Sequence, residues 1–240
     1  MQFVRTLTQR TVRAGRRLMD YTRLPMSVGG GRDSLVPICP LGAEHLPALR
    51  EHLLGLDEHD RYLRFGYQAS DEQIERYLQA LDFERDEIYG IFNRKLHIVA
   101  MAHLALIETP GREPCAEFGV SVQAYARGRG YGARLFERAV IHARNAKVSI
   151  MYIHALSENA PMIRIARKAG ADIERDGTET EAYLRLPRRD LDSRVTELLA
   201  DQFARANYSA KEDAQRFWSF LDQVKEIRQG VREGRHKAAE

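Results

Sequence analysis

The stretch Cys115-Ala116-Glu117-Phe118-Gly119-Val120-Ser121-Val122-Gln123-Ala124-Tyr125-Ala126-Arg127-Gly128-Arg129-Gly130-Tyr131-Gly132-Ala133-Arg134-Leu135-Phe136 decides the reading of the chain. Its first nine residues read as a strand. Leu135, Phe136, Ala139, Val140 and Ala143 then recur at helical spacing, predicting an amphipathic helix over 131–145. Between the two lie Gly128, Gly130 and Gly132. Three glycines in five positions at a strand-to-helix turn let the main chain approach a ligand closely and aim several N–H groups outward. Those groups sit at the positive end of the helix dipole and suit a phosphate or diphosphate. Arg127 and Arg129 add positive charge nearby.

Two familiar nucleotide loops do not fit. A Walker loop needs Lys followed by Ser or Thr after the last glycine, and Ala133-Arg134 stand there. A dinucleotide fingerprint follows the first strand of a doubly wound sheet, whereas a run of hairpin strands precedes this loop. Upstream, residues 35–39 form a short apolar strand candidate. Leu46, Leu49, Leu53 and Leu54 define a helix over 43–56, and Ile74, Tyr77, Leu78 and Leu81 a second over 71–81. Residues 86–93 and 96–107 read as a hairpin turning at Arg94-Lys95. Downstream come a strand at 148–156, a helix at 159–169, and strands at 171–175 and 181–186 turning at Asp176-Gly177. The order is mixed α/β, with antiparallel hairpins early and a βαβ crossover later.

With that order in place, Arg127-x-x-Gly130-x-Gly132 resembles the acyl-CoA diphosphate loop of the GNAT superfamily of N-acetyltransferases. The segment from Glu158-Asn159-Ala160-Pro161-Met162 to Lys168-Ala169-Gly170 is similar to that family's Asn-containing helix ending in Gly. The resemblance covers residues 35–187 and implies an acetyl-CoA-dependent N-acetyltransferase, with acetyl-CoA as co-substrate and no metal. It implies that the diphosphate lies on amides of Arg127, Gly128, Arg129, Gly130, Tyr131 and Gly132. It also implies that the pantetheine arm pairs with main-chain groups of Val120 and Val122 between splaying strands, and that Asn159 helps hold the arm. Many relatives place a proton-donating tyrosine at the position of Ala166, and that donor is missing here. Neither Tyr152 nor Tyr183 replaces it by spacing.

Direct transfer to an amine needs a general base, because a protonated amine is no nucleophile. Strand alternation places Glu117, Gly119 and Ser121 on one face, and Phe118, Val120 and Val122 on the other. Glu117 is the candidate catalytic base. It also resembles the strand glutamate of the histone-acetyltransferase branch, through the shared Ala-Glu before an apolar residue. His45, His52 and His59 recur every seven residues, a rise of ~10 Å, too far for one metal ion. They read as surface residues, and His154 as a satisfied core histidine. Arg164, Arg167 and Lys168 read as a solvated helix face.

Charge divides the chain. The 240 residues carry a net +3, with seven arginines against Asp20 and Asp33 in residues 1–34 and an acidic excess over 35–187. Residues 1–34 are expected to be a basic, flexible arm. Its Arg-rich, acid-poor start also resembles an organelle transit peptide. Without a basic stripe through the folded part, nucleic acid is not expected as a partner. No apolar run approaches the ~20 residues of a transmembrane segment, and two cysteines 76 positions apart suit a reducing, cytoplasmic setting. Residues 188–240 read as a helical extension. Leu191, Val195, Leu198, Leu199 and Phe203 form one stripe, and Phe217, Leu221 and Val224 a second. These faces pack either on the chain's own core or in a homodimer contact.

The acidic body favours a cationic acceptor: a polyamine, an aminoglycoside-like compound or a lysine side chain. The segment Arg61-Tyr62-Leu63-Arg64-Phe65 looks like one from bacterial protein-lysine acetyltransferases, which keeps protein-lysine acetylation open beside transfer to a small molecule. The missing tyrosine keeps open a non-catalytic acetyl-CoA-sensing module.

Overall fold

The structure, a computed structural model, describes residues 36–108, 113–176, 179–187, 197, 200–213, 215 and 216. The basic arm therefore lies outside the described residues, as do Leu191, Val195, Leu198, Leu199 and the second stripe of the extension. Seven strands form one mixed sheet in the order β1-β2-β3-β4-β5-β7-β6. They are β1 (Cys39–Pro40), β2 (Glu87–Phe92), β3 (Ile98–Ile107), β4 (Cys115–Val122), β5 (Ile150–Leu156), β6 (Asp172–Asp176) and β7 (Glu179–Arg185). The pairings are antiparallel except β4 with β5. The expected strand at 35–39 is shorter and later, because residues 36–38 run up to the sheet unpaired and just Cys39 and Pro40 pair with β2.

Helices cover both faces, which is why β3 reads as an almost continuous apolar run rather than an alternating one. On one face, α4 (Tyr131–Asn145) and α5 (Ala160–Lys168) bury Leu135, Phe136, Ala139, Met162 and Ala166 against Ala116, Phe118 and Ile153. On the other, α1 (Leu46–Leu54) and α3 (Asp71–Gln79) bury Leu49, Leu53, Ile74 and Leu78 against Ile88 and Met101. The expected helix over 43–56 is split. A 3-10 turn at Ala43–His45 precedes α1, and Pro47 lies in the first turn of the helix proper, where its missing N–H costs nothing.

Between α1 and α3 stands a helix that periodicity did not suggest, α2 (Glu58–Phe65). Its ends are chemically marked. The Asp57 side chain caps Asp60 N–H at 2.7 Å, and Gly66 stops the helix in the left-handed region at φ 78°. Arg61 fixes its position by donating to the carbonyls of Leu54, Leu56 and Ala69 and to the Asp71 carboxylate. Those bonds satisfy carbonyls at the C-terminal end of α1.

The described part of the extension is a helix over 200–213, labelled α6. It docks on its own domain, and Phe203 is the one residue of the expected stripe that is described. Phe203 is exposed, while Ala204 is fully buried in the cluster with Leu49 and Met101. Tyr208 packs on Phe92 with ring centroids 4.8 Å apart, and Lys211 Nζ donates to the Phe92 carbonyl. Charge anchors the near end. Arg138, buried on α4, donates to Glu197 at 2.8 Å and to Asp201 at 2.5 Å, and Glu197 also accepts from His142 and Asn145.

Burial alone would raise the pKa of Glu197, but hydrogen bonds from His142, Asn145 and Arg138 hold it down to about 2. A depressed carboxylate adds stability above its unfolded value near 4.5 and loses it as pH falls from there toward 2, a swing of about 3 kcal/mol. We therefore predict that Glu197→Gln lowers stability by about 3 kcal/mol at pH 7 and by much less at pH 3. Urea melts at the two pH values check this, and an equal loss at both would contradict it.

Candidate active site

The site begins where a pairing stops. β4 pairs with β5 through Cys115, Ala116 and Glu117, the last opposite Tyr152, and no further. Beyond that point β5 continues to pair with β7, and β4 with β3, so a wedge opens between them. The register says which groups line it. Gln123 N–H donates to the Val99 carbonyl at 2.9 Å, so the odd-numbered residues of β4 turn their main-chain groups toward β3. The parallel pair Glu117–Tyr152 uses the Phe118 N–H, so the C=O of Phe118 and the N–H and C=O of Val120 and Val122 face the open side. Val120 and Val122, singled out from the sequence, carry free main-chain edges beside this wedge.

β4 runs through a 3-10 turn at Ala124–Ala126 into the glycine loop. Gly128 and Gly130 adopt φ of 76° and 74°, and nothing stands within 4 Å of where a Cβ on either would lie. Gly130 is the N-cap of α4 and offers no side chain to close it. The first intrahelical bond runs from Arg134 N–H to the Gly130 carbonyl, leaving the N–H groups of Tyr131, Gly132 and Ala133 without intrahelical partners. Among the described residues no side chain comes within 4 Å of the Cβ positions of Gly128 and Gly130, so the turn fits a diphosphate. Arg129 is exposed beside it. Arg127 corrects the expectation of free charge: its guanidinium is bound by the buried carboxylate of Asp60 on α2. Asn159 caps α5 through Met162 N–H at 3.2 Å, which occupies its Oδ1 and leaves its amide nitrogen without a partner among the described residues. Ala166 is buried, so α5 presents no phenol at that position.

Glu117 lies on the opposite face of the sheet from α4 and α5. It is partly buried, and among the described residues its carboxylate has no hydrogen-bond or ion-pair partner. Tyr152 stands directly across from it on β5, stacked with the partly exposed His154 at 6.5 Å. Next along the face, a Cβ on Gly119 would lie 2.7 Å from Nη1 of Arg64, so that guanidinium rests flat against the strand. Arg64 heads a directed chain. Its Nη2 donates to Tyr77 Oη at 2.9 Å, Tyr77 bonds Nδ1 of His103 at 2.8 Å, and His103 Nε2 bonds Asp86 at 3.1 Å. Burial would raise the Asp86 pKa, but His103 and Arg85 hold it down to about 2. Burial pushes the Tyr77 phenol up, so it remains a hydroxyl donor. The sequence reading missed Arg64, Tyr77, His103 and Asp86 as neighbours, because they come from four separate segments.

His52 is a second correction. It is not a surface residue but 2% exposed, with Nδ1 2.9 Å from the Ile98 carbonyl and Nε2 2.8 Å from Ser121 Oγ. Because a carbonyl only accepts, Nδ1 carries the proton and Nε2 accepts from Ser121. Burial lowers its pKa to about 4. Among the described residues no group of three or more His, Cys, Asp or Glu could hold a metal ion, and no helix is long and apolar enough to cross a membrane. The prediction is that nitrogen-detected NMR shows His52 as the neutral Nδ1–H tautomer down to about pH 4. Protonation near pH 6.5 would contradict this packing. Since the unfolded ring binds its proton first, stability falls as pH drops from 6.5 toward 4.

A family model described as an acetyltransferase (GNAT) domain matches residues 37–172. Comparison with curated proteins gives no match. Among solved structures, the GNAT domain of S. lividans PAT is similar at a TM-score of 0.53 and 19% identity, over 62% of this chain and 89% of that one. The GNAT-family acetyltransferase from Streptococcus pneumoniae is similar at 0.50 and 13%, over 62% and 98%. At such identities the likeness to solved structures is one of fold. The family match spans more than half of the residues, and with it the chain belongs to the GNAT acetyltransferases, acyltransferase enzymes that take their acetyl group from acetyl-CoA.

Proposed function

We propose that the protein transfers an acetyl group directly from acetyl-CoA to a primary amine, with Glu117 as the general base. The observation that carries the reading is the open edge of β4 beside a carboxylate that has no partner among the described residues. The amides of Gly128, Arg129, Gly130, Tyr131 and Gly132 would cradle the diphosphate, whereas the expected amide of Arg127 donates instead to the Ala124 carbonyl at 3.3 Å; the amide nitrogen of Asn159 would reach the cofactor arm. Main-chain groups of Val120 and Val122 would pair with the pantetheine, as an added strand pairs with a free edge. The Val120 N–H would also donate to the thioester oxygen as negative charge develops there. Such a donor is worth about 100-fold in rate or more.

Glu117 takes the ammonium proton from an acceptor arriving on the face shared with Tyr152 and Gly119. The amine nitrogen then forms its bond to the carbonyl carbon as the carbon–sulfur bond breaks, and the second nitrogen proton is released to solvent. With Ala166 where relatives carry a tyrosine, the thiolate leaves without a protein acid on α5. A thiol pKa of ~8.5 makes it a competent leaving group, and solvent supplies its proton. The likeness of residues 61–65 to lysine acetyltransferases does not decide the acceptor. Arg61 is committed to the carbonyls ending α1, a packing role.

Thiol release over a panel of amines tests the assignment. Glu117→Gln should lower kcat by about 100-fold near neutral pH with the KM for acetyl-CoA nearly unchanged. The deficit should shrink as pH approaches ~10, where an alkylamine deprotonates in bulk and needs no base. A variant with wild-type kcat at pH 7 would remove Glu117 from this role.

A further inference from the structure

We infer that Arg64 is the anion-recognition residue of the acceptor site, and that the acceptor carries a carboxylate within a few bonds of its amine, as an α-amino acid does. The inference rests on the acyl transfer proposed at Glu117 and names the substrate class for that site.

Arg64 is an unusual cation in this protein. Three other guanidiniums are matched by acids: Arg61 by Asp71, Arg127 by Asp60, and Arg138 by Glu197 and Asp201. Arg64 has no carboxylate in ion-pair range among the described residues. Its one hydrogen bond there goes to the neutral Tyr77 hydroxyl, and its buried Nε has no partner. Rings of Phe65 and Tyr77 flank it, with its central carbon 5.1 and 5.4 Å from their centroids. A partly desolvated guanidinium without a counter-charge is costly, and an incoming anion relieves that cost.

Its location makes the anion an acceptor group. The guanidinium lies on Gly119, two residues beyond Glu117 on the same face, about 7 Å along the strand. Pairing of β4 with β5 ends at Glu117, so both charges stand at the mouth of the wedge where the thioester is proposed to lie. They have not closed on each other: no ion pair joins them, and no hydrogen bond holds Glu117. A molecule with an ammonium toward Glu117 and a carboxylate toward Arg64 satisfies both. A lysine side chain within a protein places four methylenes next to its amine and offers nothing to Arg64. The chain Arg64–Tyr77–His103–Asp86 fixes the guanidinium before substrate arrives, and Gly119 leaves room for it to lie flat. Preorganisation of this kind favours discrimination by charge.

The test uses the full chain, acetyl-CoA and matched acceptors: L-leucine with 3-methylbutylamine, L-phenylalanine with 2-phenylethylamine, and a lysine peptide blocked at both ends. We expect kcat/KM at least 100-fold higher for an amino acid than for its decarboxylated partner in at least one pair. Arg64→Gln should bring that ratio to within a few-fold of one, and Arg64→Lys should retain part of it. Gly119→Ala keeps every charge but pushes the guanidinium off the strand, and should reduce the same ratio. Turnover of amines or of the peptide with no carboxylate preference would overturn the inference and leave the transferase reading standing. A ratio unmoved by Arg64→Gln would do the same. No thiol release from any acceptor would overturn both.

Discussion

The structure turns on a sheet that stops pairing in its middle. β4 and β5 are parallel neighbours for three residues and then part, each still held on its outer side, by β3 and β7 respectively. An unpaired edge inside a sheet is normally a liability, since main-chain N–H and C=O groups buried without partners are costly. Here that edge continues directly into a glycine turn whose amides also point outward, at the start of a fifteen-residue helix. One stretch of chain therefore presents open main-chain groups at Val120 and Val122 and again from Gly128 to Ala133. An extended ligand with a diphosphate at one end matches them.

The two faces of the sheet divide the labour. Behind β4, α4 and α5 fill the space with apolar side chains, so Phe118 and Ala166 keep that side dry. In front, the short helix α2 stands over the parting strands and supplies two arginines with opposite fates. Arg61 closes the end of α1, whereas Arg64 reaches the strand surface at Gly119. The same helix is tied to the glycine loop through Asp60 and Arg127. Donor loop and acceptor face are thereby joined by one ion pair, which is why the charge of Arg127 is not free for phosphate.

The central part of this arrangement was legible in the sequence because it is local. Strand alternation placed Glu117, Gly119 and Ser121 on one face, the glycine spacing marked the turn, and 3.6-residue periodicity found α1, α3, α4 and α5. What escaped depends on distance or on brevity. α2 has just eight residues and little apolar content, and its signals were the flanking Asp57 and Gly66 rather than a stripe. His52 looked like one of three evenly spaced surface histidines, since nothing local shows that Ile98 and Ser121, 46 and 69 positions away, complete its hydrogen bonds. The extension was read through its apolar residues, whereas the contacts of its described part are set as much by Glu197 and Asp201 meeting Arg138 on α4. Arg64 belonged to a segment noted for its resemblance, yet its meaning comes from a glycine 55 positions later.

Residue-resolved hydrogen exchange with and without coenzyme A interrogates the parted strands most directly. The amides of Val120 and Val122, and those of Gly128 to Gly132, should exchange quickly in the free protein and slow at least tenfold on addition of coenzyme A. Ser121 and Gln123, already bonded to β3, should change little. Slowing confined to the odd positions, or none at any of these residues, would mean that the open edge is not where the coenzyme binds.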